Sequence, residues 1–393
     1  MKIAFLCQSI FSDGGVQRVV TNISNMLSEE HEIDIICTNV NIKVDKKKYG
    51  LLENIKVIYE PIEQRDKLSL TCLKAFRALN LYTNIFNNKF LYKLLASIYY
   101  PAKQRKKLVD LVNKNKYDVI IGCEGYYSIL LGIVQRDIST KTVTWQHSSY
   151  DAYFNTKFKY NWNREYLYKK YLNQVDKNIV LTNLDKQKYI SKFGIKSEVL
   201  YNPLSFEVKK KADLCSNVII SAGRLTQAKG FDNLIKAFDL ANQKSIDNWE
   251  LWIYGDGEEK DRLKKIINER GLRNYVSIKP FTNEISEKLR EASIYAMSSR
   301  WEGFGLVVIE AMESGLPIVS FDVSGPKEIL DGYNCAILVK QNDISSYADA
   351  LVELMNDYNK RKKLVENGLE RVKDFHKSNI LISWNNLLKD LVQ

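Results

Sequence analysis

Two α/β domains, each built on a parallel β-sheet, are what this sequence predicts, and three observations predict them. Short β-branched or aliphatic runs alternate with helical patterns along nearly the whole chain. The alternation is interrupted once, over 203–217, where Lys209-Lys210-Lys211 and Asp213 break any apolar pattern. At 393 residues the chain has enough material for two domains that each bury a core.

In the first half the strand-like runs are 3–6, 33–37, 55–58, 119–122, 142–145, 178–181 and 198–200. In the second they are 218–221, 250–253, 276–278, 294–296, 318–320 and 336–338. Everything after Val339 is helical in pattern. The reading is a first domain over 1–205, a second over 206–375, and a closing helix over 376–393 that crosses back to the first domain.

A helical insertion over 66–116 interrupts the first domain. Within it Leu91, Leu94, Leu95 and Ile98 follow i, i+3, i+4, i+7 spacing, and the basic run Lys103-Gln104-Arg105-Lys106-Lys107 comes next. An apolar stripe beside a basic cluster suits an anionic membrane surface. The alternative is a core-facing helix with a solvated basic face.

Composition narrows the classes of function. Residues 1–200 hold 31 Lys+Arg against 19 Asp+Glu, and 201–393 hold 27 against 28, so the formal charge of +11 lies in the first half. That asymmetry speaks to partners rather than fold. No nucleic-acid-binding motif accompanies the basic half, so nucleic acid is not expected. The six cysteines are scattered singly and read as reduced core residues. No apolar run reaches membrane-span length, and the first residues lack a signal-peptide core, which predicts a cytoplasmic protein.

Three glycine-marked turns sit where strands meet helices. Gly14-Gly15 follows the first strand and serves either a diphosphate or a plain turn. Gly223-Arg224 with Lys229-Gly230 brings two cations to a helix start, where an anion is favoured. The third, Ser298-Ser-Arg-Trp-Glu-Gly-Phe-Gly-Leu-Val-Val-Ile-Glu310, puts Glu302 in a loop and Glu310 inside an apolar helix spanning 306–314, with Ser298 to Arg300 ending a strand. A carboxylate on an apolar helix needs a partner.

These residues, together with Gly255-Asp256-Gly257 and the Glu302-x7-Glu310 pair, resemble the retaining glycosyltransferases of family 4, of the bacterial surface-polysaccharide type. The resemblance is fullest over 218–375. It implies the GT-B fold, two Rossmann-like parallel-sheet domains facing a cleft, and a nucleotide-sugar donor, most simply a UDP-sugar. It implies that Glu310 accepts the ribose hydroxyls, and that Arg224 and Lys229 hold the diphosphate beside Gly223. The peptide groups of Phe304, Gly305, Leu306 and Val307 would assist from a helix N-terminus, and Glu302 would contact the donor sugar.

By the same resemblance Gly14 and Gly15 admit the phosphates, and Asn202 stands near them at the join. Phe281, in Lys279-Pro280-Phe281, packs near the base. His147, in Thr144-Trp-Gln-His-Ser-Ser149, matches a histidine near the donor sugar; a structural histidine is the alternative, and His31 and His376 read as surface residues.

No cofactor and no metal are expected: Asp-x-Asp is absent, and Arg224 with Lys229 can supply a cation's charge. The implied acceptor is a hydroxyl of a glycan or of a lipid-linked acceptor in capsule, O-antigen, lipopolysaccharide or exopolysaccharide assembly. The implied site of action is the cytoplasm, with peripheral contact at the inner membrane face. Two rivals remain: a sugar-nucleotide epimerase of the same fold, for which Glu124 is the first-domain acid/base candidate, and a nucleotide-sugar-binding module without catalysis.

Overall fold

A computed structural model describes residues 1–39, 41–61, 67–157, 159–245 and 247–392, with the side chains of 67–71 excepted. The chain divides into two units, Met1–Pro203 with Ile380–Gln393, and Leu204–Asn379.

In the first unit β1 (Lys2–Cys7), β2 (Glu32–Cys37), β3 (Lys56–Tyr59), β4 (Val119–Cys123), β5 (Lys141–Trp145), β6 (Lys177–Val180) and β7 (Glu198–Val199) form one sheet in the order β3-β2-β1-β4-β5-β6-β7. Every pairing in it is parallel. The central strands are buried along almost their whole length, which is why they read as unbroken apolar runs rather than alternating ones. Leu181 falls outside its predicted strand because Thr182 caps the next helix, its hydroxyl accepting the Asp185 N–H at 3.0 Å.

The second unit repeats the plan with β8 (Val218–Ala222), β9 (Glu250–Tyr254), β10 (Val276–Lys279), β11 (Ile294–Met297), β12 (Ile318–Phe321) and β13 (Ala336–Val339). Their order is β10-β9-β8-β11-β12-β13, again all parallel. Both sheets therefore have a topological switch point, between β1 and β4 in one and between β8 and β11 in the other. Ligands of open α/β sheets bind outside the carboxyl ends of the strands at such points. The expected fold class, two Rossmann-like parallel-sheet domains, is what the chain adopts.

The closing helix Lys377–Val392 brings Trp384, fully buried, into the first unit's core. Its ring lies 4.8 Å from Trp145 and 6.4 Å from Phe5. Large aromatic surfaces removed from water here tie 380–393 to that sheet.

The insertion comprises the helices Lys67–Thr83, Tyr92–Tyr99 and Ala102–Asn115; Asp66, where it was expected to begin, lies outside the described residues. Its predicted apolar stripe faces inward. Leu95 and Ile98 are buried in the first unit's core, with Leu91 packed against it and only Leu94 exposed. Burying a leucine or isoleucine is worth about 1.5–3 kcal/mol, which decides against offering this stripe to a membrane. Four of the cysteines are buried, whereas Cys72 and Cys215 are exposed, so the expectation of core cysteines holds for four of six.

Candidate active site

In the second unit the loops leaving β8 and β11 flank the switch point, and the chain knits them together. The loop after β8 runs through Gly223, Arg224 and the short 3-10 turn Gln227–Lys229 to Gly230, which caps the helix Phe231–Lys244. The loop after β11 begins at Ser298, so Ser298 to Arg300 lie beyond the strand they were expected to end. Ser298 Oγ donates to the Lys229 carbonyl at 2.9 Å and the Arg300 N–H donates to the Ala228 carbonyl at 2.7 Å. Gly230 sits at φ +63, and a Cβ there would fall within 3.0 Å of the Ser298 carbonyl oxygen. Only glycine meets both conditions.

Arg300, which sequence gives no way to distinguish from a phosphate ligand, is used structurally. Its guanidinium donates to the Gln227 carbonyl at 2.8 Å and pairs with Asp232 at 2.9 Å. Asp232 is buried and also takes Arg262 at 3.1 Å. Burial works against the charge of Asp232, but Arg300 and Arg262 outweigh it and hold the carboxyl below its ordinary range. A carboxylate beneath two guanidiniums thus fixes both loops.

On that frame Lys229 and Glu302 form an ion pair, each side chain about one-fifth exposed, and Ser299 Oγ lies 3.4 Å from the same Glu302 oxygen. Gly223 packs against the Lys229 stem, where a Cβ would meet Cε at 3.3 Å. Arg224 is exposed at the mouth of the same loop. Gly255-Asp256-Gly257 supports it from behind: the Gly223 N–H donates to the Tyr254 carbonyl at 3.0 Å, and the Leu225 N–H to the Asp256 carbonyl at 2.8 Å. The structure therefore gathers Gly223, Arg224, Lys229 and Glu302, all predicted site residues, at one sheet edge.

Gly305, at φ +97, caps the helix Leu306–Glu313, whose first turn holds Leu306 and Val307. Phe304 is buried against Phe375, ring centroids 5.6 Å apart, and Gly325 lies so close that a Cβ there would overlap the Phe304 carbonyl. Gly325-Pro326, in the first turn of the helix Ser324–Leu330 that follows β12, is a support the sequence did not single out. Glu310 is 0 % exposed. Burial raises the phenol of Tyr295, and the nearby charge of Glu310 adds to the effect. Glu313, one turn on, serves structure: it accepts the Lys211 ammonium at 2.6 Å and the Val208 N–H at 3.0 Å. Phe281 is 56 % exposed just beyond β10.

The first unit presents its own set at the carboxyl ends of β1, β4 and β5. Gly14, in extended backbone, caps the helix Gly15–Leu27, which has no acidic residue in its first turn. Across the switch point Glu124 opens the helix Glu124–Val134 with φ +70, a left-handed conformation costly for a side-chain-bearing residue. Burial raises its carboxyl above the ordinary value. This strained backbone sits at the switch point, and no sequence pattern announces it. Asn202 is buried, and its Oδ1 has no hydrogen-bond partner among the described residues.

His147 follows β5 and stacks on Trp145 with ring centroids 4.2 Å apart. Ser149, whose role the sequence left open, caps the next helix, its Oγ accepting the Ala152 N–H at 3.3 Å. Burial lowers the His147 pKa to about 3, so the ring is neutral at pH 7. The unfolded value is about 6.5. A base depressed on folding contributes stability that is present above the unfolded value and lost as pH falls. The wild type should lose up to ~1.4 kcal/mol per pH unit below about 6.5 from this group alone. His147→Gln should show a shallower loss in chemical unfolding between neutral and mildly acidic pH; parallel curves would mean that burial does not hold this ring neutral. His31 and His376, expected at the surface, are both half-buried.

Among the described residues no group of three or more His, Cys, Asp or Glu could hold a metal.

Comparison with known proteins follows the same two units. Residues 13–207 match the model of the family described as Glycosyltransferase Family 4, and 205–371 match Glycosyl transferases group 1. A protein of Erwinia amylovora named an amylovoran biosynthesis glycosyltransferase is 26 % identical over 98 % of this chain and 99 % of its own. A Campylobacter jejuni α-1,4-N-acetyl-D-galactosaminyltransferase, named for a GalNAc-containing diNAcBac-PP-undecaprenol acceptor, is also 26 % identical, over 100 % of this chain and 99 % of its own. The solved structure of Staphylococcus aureus TarM with fondaparinux, α-GlcNAc-glycerol and UDP superimposes with TM-score 0.76 at 16 % identity, covering 98 % of this chain and 99 % of that one. That likeness carries the GT-B fold. Two family models that between them cover residues 13–371, on a fold of two switch-point sheets, make this chain an enzyme of the family 4 glycosyltransferases.

Proposed function

We propose that this glycosyltransferase moves a hexose or N-acetylhexosamine from a UDP-sugar, with retention of configuration, to a hydroxyl of a glycan or lipid-linked acceptor in surface-polysaccharide synthesis. The observation that carries the reading is the Lys229–Glu302 pair at the switch-point edge of the second sheet, with Arg224 and a glycine-capped helix N-terminus beside it. Support for UDP comes from the fold neighbour that binds it, and for a lipid-linked acceptor from the Campylobacter relative's name. Action at the cytoplasmic membrane face belongs to the same reading.

In this reaction the bond between the sugar's anomeric carbon and the diphosphate oxygen breaks, and a bond from that carbon to the acceptor oxygen forms. The acceptor's proton passes to the departing diphosphate. Negative charge grows on the diphosphate, where Arg224, Lys229, Gly223 and the peptide N–H groups of Gly305, Leu306 and Val307 are assigned to stabilise it. Glu302 is assigned to the sugar hydroxyls, Glu310 to the ribose, and Phe281 to the base. Gly14 and Gly15 are assigned to the phosphates with Asn202, and His147 to the donor sugar, with Phe304 supporting its own turn.

The roles of the two carboxylates separate experimentally. Glu310→Gln should weaken UDP binding by about 10- to 100-fold, the worth of hydrogen bonds to a charged acceptor. Because Glu310 is 0 % exposed, a ribose reaches it only if the residues covering it move, so UDP should bind slowly to the wild type and to Glu310→Gln alike. Glu302→Gln should keep UDP binding and lose transfer. Calorimetric UDP titration of both variants with a transfer assay checks this; equal loss of UDP affinity in both would remove the division of roles.

The decisive experiment incubates the protein with UDP-, GDP- and ADP-sugars and a membrane extract. Transfer from a UDP-sugar supports the proposal. UDP binding with no product from any donor overturns it, as does conversion of the donor alone to its epimer.

A further inference from the structure

We propose that the outward face of the Lys67–Thr83 helix, together with the exposed Phe90, is a docking surface for an anionic phospholipid bilayer. This helix is held from one side. Arg77 donates to the Ile98 and Tyr99 carbonyls at 3.2 and 3.3 Å, Asn80 is buried and donates to the Asn163 carbonyl at 3.0 Å, and Leu73 packs on the first unit's core. Positions 73, 77 and 80 share one helical face.

The outward flank carries Cys72, Phe76, Leu79 and Tyr82, all exposed, Tyr82 at 74 %, with the Phe76 ring resting on Phe86. A helix lying on a soluble core normally shows polar residues there. Just beyond it in the chain Ile85, Phe90 at 79 % and Leu94 are exposed too. So many large apolar side chains exposed within one short stretch point to an interaction site.

Charge selects the partner. From 67 to 109 the sequence holds nine Lys or Arg and no Asp or Glu. Lys74, Lys89 and Lys93 are exposed in the same stretch of chain, and the Lys89 ammonium lies 4.9 Å from the Phe90 ring centre. Protein interfaces are depleted of lysine. Bilayer interfaces accept aromatic rings at headgroup depth while lysines pair with anionic lipids. The surface so identified differs from the inward-facing stripe of the Tyr92–Tyr99 helix that the sequence suggested.

The proposal deepens the lipid-linked acceptor reading, and it is tested without donor or acceptor so that the two stand or fall separately. The full chain is floated with vesicles of phosphatidylcholine and of phosphatidylcholine with phosphatidylglycerol. The wild type should bind the second, with affinity falling as salt rises. Lys74→Gln, Lys89→Gln and Lys93→Gln together should weaken binding about 100-fold, since each cation near an anionic surface is worth about fivefold. Phe76→Ser, Tyr82→Ser and Phe90→Ser together should weaken it at least tenfold, with the unfolding midpoint and transfer to a soluble acceptor retained.

An environment-sensitive fluorophore on Cys72, in a Cys215→Ser background, should shift to the blue when phosphatidylglycerol vesicles are added. Absence of wild-type binding, unchanged binding by either triple variant, or an unshifted Cys72 probe would each overturn the proposal. So would a concentration-dependent dimer that the aromatic triple variant abolishes, because the face would then meet a second copy of the chain.

Discussion

Replacing Arg224 with Ala is expected to lower kcat by about 10²- to 10³-fold, the loss seen when one preorganised donor to a developing anion is removed. In free-energy terms that is about 3–4 kcal/mol of transition-state stabilisation. The expectation rests on where the residue stands: exposed at the mouth of the loop leaving β8, beside a lysine already paired with Glu302. Lys229 is paired with Glu302, and Arg224 is the guanidinium proposed to meet the charge growing on the diphosphate.

Its side chain is exposed, so the Arg224→Ala unfolding midpoint should stay close to that of the wild type. Arg224→Lys keeps the charge but not the planar fork, and should recover only part of the rate. The measurement is single-turnover transfer at saturating donor together with thermal unfolding. A variant with wild-type kcat and raised KM would move Arg224 from transition-state stabilisation to uniform donor binding.

How much of this was legible without coordinates depends on how local each feature is. The buried parallel strands declare themselves, since a strand covered on both faces must be apolar throughout; Ile3 to Leu6 and Ile294 to Met297 are cases where burial is total or nearly so. Glu302 and Glu310 were visible because a carboxylate in an apolar, glycine-rich stretch is a local anomaly. Features that need two distant segments were not visible. Arg300 looks like an anion ligand until Asp232, 68 residues away, is seen to hold it. Glu313 looks like Glu310 until Lys211 arrives from 102 residues away. Leu94 and Leu95 share one predicted stripe, yet the structure exposes one and buries the other, because the stripe's edge is set by what packs on it. Glu124 could be named as an acid, but its left-handed backbone follows from the turn β4 must make, which no residue pattern encodes.

Gly230→Ala should be among the most damaging single methyl additions in the second unit. An alanine at φ +63 costs about 1 kcal/mol in backbone strain alone. Gly271 supplies the reference, for it has φ +68 and open space around its Cβ position, so Gly271→Ala should cost that and no more. At Gly230 the methyl group also overlaps the Ser298 carbonyl, and the neighbour is backbone rather than a side chain that can swing away. To make room the two loops must part, which breaks the bonds from Ser298 Oγ to Lys229, from the Arg300 N–H to Ala228 and from the Arg300 guanidinium to Gln227. At about 1 kcal/mol each these raise the expected cost to about 4 kcal/mol, several times that of Gly271→Ala. The same parting shifts Lys229, which is proposed to hold the diphosphate, so Gly230→Ala should lose UDP binding even at temperatures where it remains folded. Chemical unfolding and UDP titration of the two alanine variants side by side provide the check. Equal destabilisation would mean that the loops can separate freely and that their hydrogen bonds do not set the site.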